Sequence, residues 1–410
     1  MIVVDMVRRL APSEVMFAVG EVFIGYSVRV SGYLDPVALT TAFAAVARAH
    51  PVLRARIDVS EAGEYMFTVS DTTPEIFITD ADPEFPLTGA KSDQRAGVCA
   101  LCVIRDGATA CVTLLIHHSV ADAAHAFAVV TALWTAYRDV VDGRTPELPV
   151  HTFPMPVEQL LLARGIEKMS LPGSPPTAES PAPPPVQQSR GEYPELRTTR
   201  CRLTEDETAA LVELGHREAV TMHGLVSAAL LHTEAEIREL PLTELLYLYS
   251  VDLRTRVSPE IAATEGTNVL GFANYLSPEA AMPLVELARG ISAALHAGVT
   301  AGIVQRTPLH IPEVAAAPPP ALPGVVVATN WGTIPALSAQ DGLRIEDFHS
   351  TMLAKPDPTG RRPKQPGDGT CIISTFADRL SVEIHHPEEF TDLQRHRVDV
   401  LAATLRAALA

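Results

Sequence analysis

The run His117-His118-Ser119-Val120-Ala121-Asp122 constrains this chain more than any other stretch. Before it lies Cys111-Val112-Thr113-Leu114-Leu115-Ile116, which is apolar and β-prone. After it, Ala123 to Val141 is rich in Ala, Val and Leu at helical spacing. A histidine pair therefore sits where a buried strand gives way to a helix. A histidine at the end of such a strand is held rigidly and can reach into a cleft. Its unperturbed pKa lies near neutrality, so it can take a proton from a substrate at cellular pH.

Around this motif the chain reads as mixed α/β. Residues 20–33 alternate as a strand with Val22, Ile24, Tyr26, Val28 and Val30 on one face. Residues 36–50 follow as an amphipathic helix with Pro36 in its first turn. Strands are expected over 52–58, 65–69, 97–104 and 110–116, and a long helix over 123–140. Prolines then crowd the segment from Leu171 to Leu196, which reads as an exposed linker. Beyond it, Thr204-Glu205-Asp206-Glu207 has the form of a capping box before a helix over 205–219. A second helix is expected over 221–238, and a buried strand over 245–251. Pro-rich loops are expected at 307–323 and 355–369, with a strand over 324–329 between them. A hairpin over 371–376 and 380–386 turns at Ala377-Asp378-Arg379, and a last helix spans 392–408.

Length and composition narrow the class. At 410 residues, two domains are expected. Hydrophobic content of 47% with 20% charged residues indicates a globular soluble protein, and the sequence has neither an apolar run of transmembrane length nor a signal-peptide pattern. A cytoplasmic location is expected. The net charge of −17 argues against nucleic acid, which needs clustered Lys and Arg. Arg361-Arg362-Pro363-Lys364 reads first as a solvated loop, and alternatively as a basic patch for an acidic carrier protein or a CoA phosphate. The five cysteines, scattered over apolar strands, read as reduced thiols, and Cys99-x-x-Cys102 reads as core. Adjacent strand residues point to opposite faces, so His117 and His118 are not expected to share a metal ion.

The motif resembles the HHxxxD(G) signature of acyltransferases that act on CoA and carrier thioesters, a superfamily with chloramphenicol acetyltransferase and the condensation domains of nonribosomal peptide synthetases. The match is closest to the polyketide-associated acyltransferases of the phthiocerol/phthiodiolone dimycocerosyl transferase type. It extends to Val7-Arg8-Arg9-Leu10 with Ser13-Glu14, to Asp35 through Ile57 with His50-Pro51-Val52-Leu53, to Val251-Asp252-Leu253-Arg254, and to Thr264 through Gly271.

This resemblance implies an α/β fold of two chloramphenicol acetyltransferase-like domains, with mixed sheets flanked by helices and a channel between them. The domains would be residues 1–170, carrying the motif, and 197–410, joined by a crossover linker at 171–196. It implies O-acyl transfer from a carrier-protein or CoA thioester to a hydroxyl of a polyketide or lipid. No bound cofactor is expected, because acyl-CoA or a phosphopantetheine-linked acyl group is itself the donor. The partners implied are an acyl carrier protein and a lipid or polyketide alcohol, with the enzyme a monomer. An amide-forming condensation enzyme and a non-catalytic carrier-docking protein are the alternatives.

Carried onto this sequence, the resemblance makes His118 the general base, His117 structural, and Asp122 a structural carboxylate paired with Arg254. Loss of Asp122 would then damage fold and activity together, whereas loss of the His118 imidazole would leave the fold. Ala123 stands where the motif usually has Gly, which would bring a methyl group to the substrate cleft. Asn268 and Gly271 match a segment at the floor of the site, with a tight turn as the structural alternative. Asn330-Trp331-Gly332, after the 324–329 strand, matches a cleft-shaping segment, and Asn330 is a candidate donor to a developing oxyanion. His385-His386 reads as a strand-end pair packed near the boundary of the halves, since no Asp follows at the motif distance and Pro387 breaks the helix.

Overall fold

A computed structural model describes residues 5–69, 72–169, 193, 196–317, 322–355 and 369–409. The chain forms two compact units, and neither is continuous in sequence. The first comprises Met1–Pro194, Ser258–Val269 and Pro335–Arg362, and the second Glu195–Val257, Leu270–Ile334 and Pro363–Ala410. The division expected at the Pro-rich linker is thus one of several crossings. Most of that linker, and Arg361-Arg362-Pro363-Lys364, lie outside the described residues; Leu196 already belongs to a strand.

In the first unit the chain runs through β1 (Asp5–Arg9), α1 (Pro12–Ala18), β2 (Phe23–Gly32), α2 (Pro36–Ala49), β3 (Ala55–Val59), β4 (Tyr65–Val69), β5 (Glu75–Asp80), β6 (Cys99–Asp106), β7 (Thr109–His117) and α3 (Ala123–Val141). One sheet has the order β1-β4-β3. The other has the late strand Leu343–Leu353 at its edge, then β2, β7, β6 and β5. All its neighbours are antiparallel except β5 and β6, which run parallel. β7 is the middle strand, and its run Ala110–His117 is buried throughout. That is why it reads as a continuous apolar stretch rather than an alternating one.

Local chemistry sets the helices. Asp35 caps α2 by accepting from Val37 N and Ala38 N, and Pro36 follows at the first position, where its missing N–H costs nothing. The face bearing Leu39, Phe43 and Val46 is buried. α3 covers the sheet: Phe127 meets Tyr26 edge-on at 5.8 Å and Phe348 at 5.9 Å. Trp134, Tyr26 and Phe43 are among the largest fully buried side chains. Each contributes roughly 1.5–3 kcal/mol by leaving water, which makes this packing the foundation of β7's position.

The second unit has one six-stranded sheet, in the order Leu270–Leu276, Leu245–Asp252, Gly324–Thr333, Thr370–Phe376, Arg379–Pro387, Leu196–Arg202. Thr204 Oγ1 accepts from Glu207 N while the Glu207 carboxylate accepts from Thr204 N, so the capping box forms as expected. The hairpin forms with a turn one residue tighter than expected: Ala377 and Asp378, at φ 46° and 58°, are the left-handed pair that a two-residue turn needs, and Arg379 already pairs with Phe376.

Three expectations are corrected. The strand foreseen over 52–58 begins as a 3-10 turn, Pro51–Arg54, and becomes extended only at Ala55, because Pro51 starts a tight turn rather than a ladder. The stretch from Thr307 is not a plain loop: Thr307–His310 and Ile311–Ala316 are short helical turns that carry their prolines in the first positions. The strand starting at Gly324 runs on to Thr333, so Asn330, Trp331 and Gly332 lie within it, at a bulge where Gly332 takes φ 70°. Among the described residues, no single helix is long and apolar enough to cross a membrane.

Candidate active site

His118 is the first residue past β7, and its N–H donates to Val22 O at 2.7 Å, so the end of β2 fixes its backbone. The ring is half-buried. It lies flat on Phe17 of α1, with centroids 3.9 Å apart and planes inclined by 18°. Nδ1 is 3.2 Å from Ala121 O. A carbonyl oxygen only accepts, so Nδ1 carries the proton and Nε2 carries the lone pair of the neutral ring. Burial lowers the imidazole below its ordinary pKa, and the negative charge of Asp122 is the first of the influences opposing that fall. The ring is therefore a neutral base with its tautomer set by the loop that carries it.

His117 has a different role. It is fully buried and meets the Phe23 ring edge-on at 4.7 Å. Its Nδ1 accepts from Ser119 N at 3.1 Å, which folds the motif back on itself. Burial, with the neighbouring His118 second, pushes its pKa down to about 3. It is a neutral structural ring.

Asp122 is 1% exposed and caps α3: one carboxylate oxygen accepts from His125 N at 3.1 Å and the other from Val269 N at 2.8 Å. Its own N–H donates to Thr267 O at 2.9 Å. The carboxylate thus joins the motif loop to the segment 266–269. Ala123 opens α3 in the right-handed helical conformation, so the backbone there does not require glycine. His125 donates through Nδ1 to Gly266 O at 3.0 Å, again a buried scaffold contact.

Asn268 lies against the motif: its Nδ2 donates to the His118 carbonyl at 2.7 Å. Among the described residues, its side-chain oxygen is buried without a hydrogen-bond partner. Sequence reasoning missed what supports this segment. Glu14 of α1 is fully buried, and its carboxylate accepts from Arg8 Nη1 and Nη2 at 2.7 Å each, from Ala11 N at 2.8 Å and from Thr267 Oγ1 at 2.8 Å. Its carbonyl accepts from Ser119 Oγ at 2.6 Å. One helix therefore ties Ser119 of the motif to Thr267, the neighbour of Asn268, and lays Phe17 on the base. The available signal was a lone charged residue in the short helix Pro12–Ala18, six residues after Arg8.

The remaining candidates lie in the second unit. Arg254 is buried and has Nη1 3.2 Å from Asp252 Oδ1, which also accepts from its N–H. Gly271 is a packing glycine within a strand: a Cβ there would come within 2.6 Å of Val304 O and 2.9 Å of Leu253 Cδ2. Asn330 is exposed, and its Oδ1 accepts from Gly332 N at 2.8 Å, so the side chain shapes its own bulge. Trp331 is half-buried and Gly332 exposed. His385 and His386 meet Thr198 Oγ1 at 3.0 Å and Thr199 Oγ1 at 2.7 Å across the edge strand, which explains them as packing residues. In the first unit, Cys99 and Cys102 are buried on β6, and burial pushes both thiols up, away from reactivity.

Two buried histidines give the fold a pH dependence. His50, stacked on His151 at 4.3 Å, is pushed to about 3 by burial and by His151 and His125, and His117 lies at about 3. Both stay neutral in the folded chain, while the unfolded chain takes protons below about pH 6.5. Their contribution is complete above that value and is lost as pH falls toward 3. Urea denaturation at pH 5 should show a stability lower than at pH 7 by about 2 kcal/mol per histidine. An unchanged midpoint would contradict this assignment.

Comparison with known proteins places this geometry. Over 99% of the chain and 98% of the other, the fold superimposes on the first condensation domain of the calcium-dependent antibiotic synthetase, with a TM-score of 0.67 at 15% identity. It also superimposes on polyketide synthase associated protein 5 from Mycobacterium tuberculosis with a TM-score of 0.81 at 28% identity, over 99% and 100% of the two chains. The protein is an acyltransferase with the mixed α/β fold of condensation domains. Residues 192–385 match the profile of the phthiocerol/phthiodiolone dimycocerosyl transferase C-terminus. A phthiocerol/phthiodiolone dimycocerosyl transferase of Mycobacterium ulcerans is 32% identical over 389 residues, covering 92% of each chain. The chain belongs to the phthiocerol/phthiodiolone dimycocerosyl transferase family.

Proposed function

We propose that the protein moves an acyl group from a phosphopantetheine thioester, on a carrier protein or on CoA, to a hydroxyl of a polyketide or lipid, with His118 as general base. The observation that carries this is the half-buried imidazole whose Nδ1 is bound to Ala121 O, which leaves Nε2 to accept a proton. The thioester is already activated, so no covalent acyl-enzyme is needed. Nε2 takes the hydroxyl proton as the oxygen attacks the carbonyl carbon and the C–O bond forms. The C–S bond then breaks, and the proton passes to the departing thiolate. Asn268, on the His118 carbonyl, and Phe17, on the ring face, hold the base in place.

The names of the relatives support an acyl donor and a lipid alcohol. The test is to incubate the purified protein with a series of acyl thioesters and with matched alcohols and amines, and to identify products by mass. Ester should form and amide should not. The rate should rise with pH through a midpoint below 6.5, where the ring loses its proton, and then level off. Amide as the main product, or a rate falling over that range, would overturn the reading.

A further inference from the structure

The segment Ser258–Val269 belongs to the first unit, whereas the chain on either side of it belongs to the second. It carries Asn268, whose amide holds the His118 carbonyl, so the seat of this segment decides where the base stands. It is irregular backbone, bridged to Met155 at Gly266. The bridge is tight: a Cβ at Gly266 would come within 2.4 Å of Val269 Cγ2 and 2.7 Å of Leu160 Cδ1.

Two histidines grip the segment just ahead of Asn268. His125, in the first turn of α3, is 1% exposed and donates through Nδ1 to Gly266 O at 3.0 Å. Its N–H donates to one Asp122 oxygen, and the other accepts from Val269 N, so the ring stands on the cap that closes the far end of the same segment. His151 Nδ1 lies 3.0 Å from Thr264 Oγ1. The N–H of His151 donates to Ala49 O at 2.8 Å, and its ring stacks on His50 with centroids 4.3 Å apart. Each imidazole is therefore anchored on its own element before it reaches across. Arg164 holds the near end, where its Nε donates to Pro259 O at 2.6 Å. An error of about 1 Å in the placement of a reacting group costs on the order of a hundredfold in rate, so such a grip bears on chemistry as well as on stability.

We propose that His125 and His151 are positioning residues for acyl transfer: through Gly266 and Thr264 they set the place of Asn268, and through Asn268 the aim of the His118 imidazole. The proposal rests on the general-base reading of His118 above and adds two residues that act through Asn268 rather than on the substrate.

His125→Ala should lower kcat by about 10- to 100-fold with KM unchanged, because the base is misaimed while the substrates still bind. His125→Asn keeps an N–H donor near the place of Nδ1 and should restore most of the loss. A contact serving stability alone would lower the melting temperature and leave kcat of the folded enzyme as it was. Asn268→Ala should also lower kcat, and adding His125→Ala to it should cost little more, since both act through one bond. Normal kcat in folded His125→Ala, no recovery with asparagine, or losses that multiply in the double variant would overturn the proposal. Thr264→Val removes only the hydroxyl that His151 meets. It should show the same pattern to a smaller extent, and it carries the test if His125→Ala does not fold. A readout without turnover keeps this idea apart from the acyl-transfer reading. The Asn268 side-chain amide proton resonance, identified by its loss in Asn268→Ala, should move toward that of a solvated amide in His125→Ala and Thr264→Val, and stay in place in His125→Asn. A resonance unmoved by the first two changes sinks the proposal even if ester forms; a moved one supports it even if none does.

Discussion

Replacing His118 by alanine should lower turnover by about 100- to 10,000-fold, the range supplied by a well-placed general base. The fold should survive, because the ring is half-buried and is held by the Ala121 carbonyl and the stacked Phe17 ring rather than by an ion pair. The backbone bonds that fix the loop, His118 N to Val22 O and Asn268 Nδ2 to His118 O, do not need the side chain. Single-turnover rates with an acyl thioester, together with a thermal melt, would check both halves. Near-normal turnover in a variant that melts like the parent would remove the imidazole from the mechanism. Phe17→Leu offers a finer measurement, since a base held less firmly loses kcat before KM.

The second large effect is expected at Glu14, which supports the motif from α1. Glu14→Ala leaves the Arg8 guanidinium without its two carboxylate bonds, and leaves Ala11 N and Thr267 Oγ1 without theirs. Breaking a buried ion pair on one side costs about 3–5 kcal/mol, because the remaining charge is uncompensated. Arg8 is 18% exposed and also lies 5.0 Å from the centre of the Phe67 ring, which recovers only part of that loss. The variant should therefore unfold at a much lower urea concentration than the parent. Glu14→Gln keeps the shape and two acceptor lone pairs, and should fall between them. A loss below about 1 kcal/mol for the alanine variant would mean that the network is ornamental.

The motif was readable in sequence because its chemistry is local. A buried strand, two histidines and a capping aspartate lie within a dozen residues, and each obeys its own short-range rule. The same holds for the Thr204–Glu207 capping box and the Ala377-Asp378 turn. The supports of the base were harder to see, because they come from far along the chain. Phe17 and His118 are a hundred residues apart, and Thr267 lies 253 residues from Glu14. No periodicity encodes such a pairing. Edge strands were missed for another reason. Among the described residues, Leu343–Leu353 pairs with β2 alone, carries four charged or histidine side chains, and shifts register between Ile345 and Asp347, so its alternation is broken. Leu196–Arg202 is similarly polar at the rim of the other sheet.

The interleaving of the two units bears on biosynthesis. A nascent chain that has left the ribosome only as far as residue 194 already carries the His118 imidazole and its stacking partner. It has not yet acquired Thr267, Asn268 or Val269, nor the Leu343–Leu353 strand that closes the edge of β2. Until those segments are translated, Asp122 lacks one of its donors and β2 presents a bare ladder of peptide groups. Maturation of the site is therefore deferred to a late stage of synthesis, and a gene divided at the Pro-rich linker would encode an amino-terminal fragment with a base but no finished cradle for it.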